Sequence, residues 1–178
     1  MKLLLAAAVA LALGISAAQA HGPTRQKMIE SVDIDKPVDK VWAIVKDFDG
    51  IAKWHPVIAS SKATKGNEPG SVRTLVLKAP GNPEIIEKLL TYSDADHTYH
   101  YEIKTVDVKV LPIQNYTSWL KVEDDGHGGS TVEWKGAYYR GDQRNDPVPE
   151  LNDDAANAAV KGVYRAGLDN LKKIAEAP

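Results

Sequence analysis

One long amphipathic helical pattern ends a chain that otherwise consists mainly of strand-like segments, and this feature most constrains the fold. The final segment, "PELNDDAANAAVKGVYRAGLDNLKKIAEA", repeats apolar or small residues at helical spacing. We predict that the helix begins near Pro149, with Asp153 and Asp154 in its first turns. Lys172 and Lys173 stand near its end, where the helix dipole favours positive charge. We assign its inward face to Leu151, Ala155, Ala159, Val163, Gly167, Leu171 and Ile174.

The segments before this helix alternate apolar and polar side chains, which is the two-residue period of strands. We predict strands in "RQKMIESVDID", "PVIASSKAT", "SVRTLVLKA", "EIIEKLLTYS", "TYHYEIKTV", "VKVLPIQNYTSWLKVEDDG" and "TVEWKGAYYRG", with turns between them. The segment "KPVDKVWAIVKDF" changes to helical spacing, so a short helix follows the first strand, with Asp35 as its predicted N-cap.

A run of strands flanked by helices predicts an α+β domain rather than an alternating α/β domain. Because only the C-terminal helix is long enough to cover the sheet, we predict a curved antiparallel sheet wrapped around that helix. The side chains assigned to the inner face of the sheet are Tyr99, Tyr101, Ile103, Tyr116, Ser118, Leu120, Val122, Val132, Trp134, Gly136 and Tyr138. The small residues of the helix leave two alternatives, an internal cavity or close contact between helix and sheet.

The first residues have the pattern of a cleavable signal peptide. Residues 1–20, "MKLLLAAAVALALGISAAQA", combine one lysine, a short apolar run and small residues before the expected cleavage after Ala20. We expect export to the periplasm, followed by a single domain over residues 21–178. A membrane anchor is the alternative, but the apolar run is short for a bilayer span.

Composition excludes several classes of function. The chain has 22 basic and 24 acidic residues without a basic run, so nucleic acid is not an expected partner. It has no cysteine, which excludes disulfides and thiolate chemistry. His97 and His100 are three residues apart on a predicted strand and would point to opposite faces, so we predict no metal site. The sequence has no phosphate-binding loop or serine nucleophile motif, and we predict no cofactor.

The stretch "IAKWHPVI", residues 51–58, follows the first helix and contains the first pair of candidate site residues. Trp54 either lines the entrance of a cavity or is an apolar plug at a corner of the fold. His55 has an ordinary pKa near 6.5, which suits proton transfer or recognition of a polar group. The alternative for His55 is a solvated or capping residue.

Arg73 and Glu87 are the second pair, because the strands that carry them are joined by the turn "APGNP". Symmetrical pairing about this turn places them opposite or diagonal to each other, within reach of a cross-strand ion pair. If they face inward, they form the polar base of an apolar pocket and depend on each other. If they face outward, they form a surface pair of little energetic value. Both faces of "SVRTLVLKA" are equally apolar, so the pattern leaves both orientations open.

The segments "VDKVWAIVKDFDGIAKWHPVI", "PGSVRTLVLK", "EKLLTYSD", "LPIQNY" and "TVEW" resemble the polyketide cyclase/dehydrase-type branch of the START-like, helix-grip (SRPBCC) superfamily. The resemblance runs from about residue 27 to residue 175. It implies a helix-grip fold with an internal cavity for a hydrophobic or amphipathic small molecule. With its signal-like leader, the chain also resembles the MxaD-like periplasmic accessory proteins of methanol oxidation.

Three functions follow from these observations. The first is a periplasmic, non-enzymatic small-molecule-binding or accessory protein, which would assist a quinoprotein methanol or alcohol dehydrogenase and its electron transfer to cytochrome c. The second is a cyclase or dehydratase acting on a hydrophobic carbonyl substrate, with His55 as the catalytic candidate. The third is a carrier of lipid or quinone-like molecules. The expected ligand-binding residues are Trp54, His55, Arg73, Glu87, Tyr101, Tyr116, Trp134 and Val163.

Overall fold

The computed structural model describes residues 22–178, so the predicted signal peptide lies outside the described residues. The elements are β1 (Gln26–Ile34), α1 (Val38–Val45), β2 (Ile58–Ala63), β3 (Val72–Leu77), β4 (Glu84–Ser93), β5 (Thr98–Thr105), β6 (Ile113–Asp124), β7 (Ser130–Arg140) and α2 (Asp153–Ala175). Two short 3₁₀ helices cover Phe48–Lys53 and Pro149–Leu151. Within residues 22–178, no helix combines the length and the apolar character that a bilayer crossing requires.

All seven strands form one antiparallel sheet in the order β1-β7-β6-β5-β4-β3-β2. The strands from β2 to β7 pair as a meander, and β1 closes the series by pairing with β7. The sheet curves around α2, which packs mainly against β1 and β7. The predicted α+β helix-grip architecture is therefore confirmed.

The inner face of the sheet agrees with the alternation in the sequence. On β6 and β7 every second side chain is buried, including Tyr116, Ser118, Trp134 and Tyr138. These residues meet α2 and the short helices that follow β1, and together they form one continuous apolar core. Because strand register is fixed by which face is buried, this alternation determines which polar side chains are also enclosed.

The predicted inward face of α2 is wrong by about one residue along most of its length. Gly167 and Leu171 are buried as predicted, but Val163 is half-buried and Ile174 is 38% exposed. The buried positions are Ala156, Val160, Tyr164, Gly167, Leu168 and Leu171. The prediction favoured a row of small aliphatic residues, whereas the helix turns a tyrosine into the core because its hydroxyl finds hydrogen-bond partners there.

Three predicted element boundaries are also corrected. No side chain caps α1, and Pro37 rather than Asp35 precedes it directly. The long helix begins at Asp153 because the side chain of Asn152 accepts a hydrogen bond from the backbone N–H of Ala155, while Pro149 lies in a separate 3₁₀ turn. The segment before Pro112 is a turn, and β6 begins only at Ile113.

Candidate functional site

A cavity of about 90 Å³ lies between α2 and the concave face of the sheet. Its walls are mainly aliphatic, with polar side chains from the sheet, from α2 and from the segment before β2. Six of the eight predicted ligand-binding residues line it, and these are His55, Glu87, Tyr101, Tyr116, Trp134 and Val163. Trp54 and Arg73 do not line it, although both are buried. The cavity is smaller than the roughly 150 Å³ apolar cavity known to admit benzene, so it fits only a small molecule or one end of a larger molecule.

His55 is buried rather than solvated, with 1% of its surface exposed. Its Nε2 lies 3.1 Å from the carbonyl oxygen of Val163 on α2. A carbonyl only accepts hydrogen bonds, so Nε2 carries the proton and Nδ1 keeps its lone pair. Burial lowers the pKa of His55 to about 4, the bond to Val163 partly opposes this change, and the nearby Arg73 cation lowers it further. His55 is therefore a neutral imidazole at physiological pH.

Trp54 is not at an entrance, because only 1% of its surface is exposed. Its ring meets the edge of the Trp134 ring at a centroid distance of 5.6 Å. Its backbone carbonyl accepts a hydrogen bond of 2.7 Å from the side-chain amide of Asn170 on α2. These contacts fix the segment after α1 against both the sheet and the long helix, so Trp54 positions its neighbour His55 rather than touching the cavity.

Gly167 is the point where α2 comes closest to His55 and Trp134. A Cβ atom at this position would lie 2.6 Å from His55 Cδ2, 2.8 Å from Trp134 Cζ3 and 3.0 Å from His55 Nε2. Both rings are buried, so a shift of either ring changes the packing of the core. The two alternatives for the small helix residues are therefore both realised, with close contact at Gly167 and a cavity beside Val160 and Val163.

We expect Gly167→Ala to lower the free energy of unfolding by about 1–3 kcal/mol through overpacking. The matched control is Gly162→Ala on the same helix, where an added Cβ meets no atom within 4 Å. This control should gain about 0.5–1 kcal/mol because alanine is the better helix former. Urea unfolding of both variants measures the difference, and equal shifts of the same sign would contradict the close approach at Gly167.

Arg73 and Glu87 face inward and lie directly opposite each other in the pairing of β3 and β4. Arg73 Nε donates a hydrogen bond of 2.6 Å to Glu87 Oε2, and its NH1 donates to the carbonyl oxygen of Phe48. The guanidinium carbon lies 4.0 Å from the centroid of the Phe48 ring. Burial raises the pKa of Glu87 above its ordinary value, and the Arg73 cation opposes that rise. The charge of the pair is balanced before any ligand enters.

A network of hydroxyl groups joins the sheet to α2 at the side of the cavity. Tyr164 Oη lies 2.6 Å from Tyr116 Oη and 3.2 Å from Ser118 Oγ. The Trp134 ring stacks on the Tyr164 ring at a centroid distance of 4.6 Å, and its Nε1 donates to Ser118 Oγ and to Tyr101 Oη. Burial raises the pKa of all three tyrosines, which keeps their hydroxyl groups protonated.

Two members of this network, Tyr164 and Ser118, were not among the predicted site residues. Ser118 was assigned to the inner face, and the register places it opposite Gly136 and diagonal to Trp134 on β7. Tyr164 lies four residues after Val160 and four before Leu168, so it continues the row of apolar residues on the buried face. A helical face drawn through Val160, Tyr164 and Leu168 would have predicted that Tyr164 is buried.

The match to a family model connects this geometry to known proteins. The model described as "polyketide cyclase / dehydrase and lipid transport" matches residues 25–176, almost all of the described chain. No functionally curated protein matches the chain at a significant level.

Solved structures agree with this match. The protein XoxI from Bacillus cereus is 30% identical, with 83% of this chain and 94% of that chain covered at a TM-score of 0.70. A protein from Bacillus thuringiensis is 30% identical, with 85% and 100% covered at a TM-score of 0.71. Ara h 8.0201 shares the fold at 20% identity, with 85% and 98% covered at a TM-score of 0.65. The chain therefore belongs to the polyketide cyclase / dehydrase and lipid transport family of the START-like, helix-grip superfamily.

Proposed function

We propose that this protein is a non-enzymatic binding protein that holds a small apolar or amphipathic molecule in the cavity beneath α2. The observation that carries the proposal is a mostly aliphatic cavity beneath α2 that a few polar side chains also line. Membership of the family supports binding of a hydrophobic ligand. The cavity volume of about 90 Å³ favours a small ligand over a whole lipid or quinone, since pockets for drug-sized ligands measure roughly 300–1,000 Å³.

The positions of the charged groups favour binding over catalysis. The catalytic alternative requires Arg73 and Glu87 to polarise a substrate carbonyl while His55 moves a proton. Arg73 does not line the cavity, and its Nε and NH1 donate to Glu87 and to the Phe48 carbonyl. His55 donates its one N–H to Val163, and Arg73 is not on the cavity wall, so neither residue presents an N–H group to a carbonyl oxygen in the cavity.

A direct test is to titrate the protein with dissolved xenon, a small apolar probe suited to a cavity of about 90 Å³, and follow the backbone and side-chain NMR signals of the residues that line the cavity. We expect saturable shifts at Leu75, Ile103 and Val160, with no comparable shifts on the outer face of the sheet. Val163→Phe should fill the cavity and weaken binding at least about tenfold, because the added ring occupies the space that the probe needs. Ile29→Phe, at a position 61% exposed on β1, is the control and should bind like the wild type. Equal binding by both variants would place the probe outside the cavity.

We propose further that the protein acts in the periplasm, as an accessory to a quinoprotein methanol or alcohol dehydrogenase and its cytochrome c. The support is the signal-like leader and the resemblance to periplasmic accessory proteins of methanol oxidation. Intact-mass measurement of the exported protein should give a chain that begins at His21. Addition of that protein to a purified dehydrogenase should change the rate of cytochrome c reduction, and an unchanged rate would exclude this partner.

A further inference from the structure

Six polar side chains line the cavity, and the atoms that they leave unused determine what a ligand must offer. They are His55, Glu87, Tyr101, Tyr116, Trp134 and Tyr164. A ligand must pair with the polar atoms that face the cavity and lack a partner, because a buried polar group without a hydrogen bond is costly. The hydrogen bonds within the protein therefore identify the group that a ligand needs.

The hydroxyl groups on the wall are engaged with one another. Ser118 Oγ donates to the carbonyl oxygen of Lys135 over 2.8 Å, so it accepts from its other neighbours. Tyr164 therefore donates to Ser118 and accepts from Tyr116. Tyr116 in turn accepts from Tyr101 over 3.5 Å. This arrangement satisfies every contact of the network at once and uses all three tyrosine protons.

The ring nitrogens that carry protons are engaged as well. The indole N–H of Trp134 is shared between Ser118 and Tyr101. The Nε2–H of His55 donates to the Val163 carbonyl. His55 Nδ1 has no partner within residues 22–178, but it has almost no accessible surface, so a ligand in the cavity does not reach it. These lining side chains therefore leave no N–H or O–H group for a ligand that only accepts.

Glu87 Oε1 is the polar atom that remains available to a ligand. Arg73 Nε donates to the other carboxylate oxygen, Oε2, over 2.6 Å, whereas Oε1 accepts no hydrogen bond from any residue in the range 22–178. Oε1 is not sealed off, because Glu87 lines the cavity and 6% of its side chain is accessible. A carboxylate oxygen only accepts, and a hydrogen bond to a charged acceptor is about twice as strong as one between neutral groups. The ligand therefore needs a donor.

Glu87 lies at the inner end of the cavity, and Val57 lies at its mouth. Glu87 is 4% exposed, whereas Val57 is 40% exposed and its carbonyl accepts from the backbone N–H of Lys78, just after β3. Strand β3 passes Glu87 before it reaches that end, and its side chains Leu75 and Leu77 form the wall between. A ligand therefore enters with its donor first and leaves its apolar chain against aliphatic side chains.

Charge narrows the choice of donor. Arg73 already balances the charge of Glu87, so an ammonium ligand would lose its hydration without meeting surplus negative charge. A carboxylate ligand would face Glu87 without an unpaired cation on the cavity wall. A neutral hydroxyl group has neither cost and supplies the one hydrogen bond that Oε1 lacks.

Size limits the rest of the ligand. A cavity of roughly 150 Å³ admits benzene, so a cavity of about 90 Å³ holds about four non-hydrogen atoms by proportion. We propose that the cavity binds a short unbranched primary alcohol of about three carbons, whose O–H donates to Glu87 Oε1. This inference rests on the proposed binding function and adds its ligand class.

The test compares four probes by NMR titration, namely 1-propanol, its isomer methoxyethane, acetone and n-propylammonium, which have equal numbers of non-hydrogen atoms. Ligands of this size bind no more tightly than about tens of micromolar, so the titration extends into the millimolar range. We expect 1-propanol to bind about tenfold more tightly than methoxyethane, because only the alcohol can donate to the charged acceptor. Acetone should bind no better than methoxyethane, and n-propylammonium should bind more weakly than 1-propanol.

The outcomes separate this inference from the binding function itself. Equal affinity of the two isomers, or a preference for acetone or n-propylammonium, would overturn the alcohol proposal. Binding of xenon without binding of 1-propanol would also overturn it and would leave the binding function intact. Failure of both xenon and 1-propanol to bind would overturn the binding function.

The assignment to Glu87 is tested in the double variant Arg73→Met/Glu87→Leu, which removes the acceptor without leaving an unpaired buried charge. Its preference for 1-propanol over methoxyethane should fall to about twofold or less. Should this variant fail to fold, the wild-type protein provides the second measurement. The ¹³C resonance of the Glu87 carboxyl should move when 1-propanol is added and stay in place when methoxyethane is added. An undiminished preference in the variant, or a stationary carboxyl resonance under saturating 1-propanol, would exclude this acceptor.

Discussion

Glu87→Leu is expected to destabilise the protein by about 3–5 kcal/mol, because it leaves the Arg73 guanidinium buried without its counter-charge. Arg73 is 1% exposed and has no route to solvent in the folded chain. Arginine does not lose its proton in proteins, so it cannot avoid the cost of this buried charge by becoming neutral. The remaining bond to the Phe48 carbonyl and the contact with the Phe48 ring compensate only partly. Urea unfolding at neutral pH measures the loss.

The reciprocal change, Arg73→Met, should cost less and should depend on pH. A buried Glu87 without its cation can take up a proton, since burial raises the pKa of this carboxyl. When the pKa of this carboxyl is higher in the folded chain than in the unfolded chain, the folded chain is more stable with Glu87 protonated than with Glu87 ionised. That stability is present at low pH and is lost as pH rises through the folded pKa. The variant should therefore be closest to the wild type near pH 4 and fall behind it toward pH 8.

The double variant Arg73→Met/Glu87→Leu completes the argument. With both charges removed and their volume kept, the site becomes apolar, so stability should recover most of the loss. Lys121→Met on the outer face is the control, because the Lys121–Glu123 pair has side chains 41% and 54% exposed. It should cost under about 1 kcal/mol. A double variant as unstable as Glu87→Leu would show that the fold requires the two charged side chains themselves, and not only that no unpaired charge is buried.

The fold could be predicted from the sequence because apolar residues recur at the regular spacings of strands and helices. Alternation along β6 and β7 identifies Tyr116, Ser118, Trp134 and Tyr138 as inward-facing without any knowledge of the partner strands. The turn "APGNP" likewise predicted that Arg73 and Glu87 pair across β3 and β4, as the register shows. These features depend on neighbours that are close in sequence, which is where local patterns are informative.

The orientation of the Arg73–Glu87 pair could not be predicted, because both faces of β3 carry apolar residues. It depends on the Phe48 carbonyl and ring, which reach the pair from the 3₁₀ helix after α1. The sequence left the role of Trp54 open between a cavity entrance and an apolar plug for a similar reason. Its burial depends on Trp134 and Asn170, which lie far along the chain. Contacts between distant segments leave no periodic trace in a single sequence.

Acid should destabilise this protein through His55 by about 3 kcal/mol as the pH falls from 7 to 4. The pKa of His55 is lowered from 6.5 to about 4 in the folded chain. Above pH 6.5 the imidazole is neutral in both folded and unfolded chains, and the full stability is present. As pH falls, the unfolded chain binds the proton first, so stability is lost progressively until pH approaches 4. The groups that face His55 support the neutral ring, since Arg73 repels a second cation and Glu87 is already paired with Arg73.

His55→Gln isolates this effect, because the glutamine amide can still donate to the Val163 carbonyl but does not titrate. Carboxylates such as Asp94 and Glu176, whose pKa values are lowered by hydrogen bonds, are present in both proteins and cancel in the comparison. His100 on the outer face also cancels, although burial lowers its pKa as well. Urea unfolding at steps from pH 7 to pH 4 should show the wild type losing about 3 kcal/mol more than the variant. Parallel curves would mean that His55 accepts a proton inside the fold.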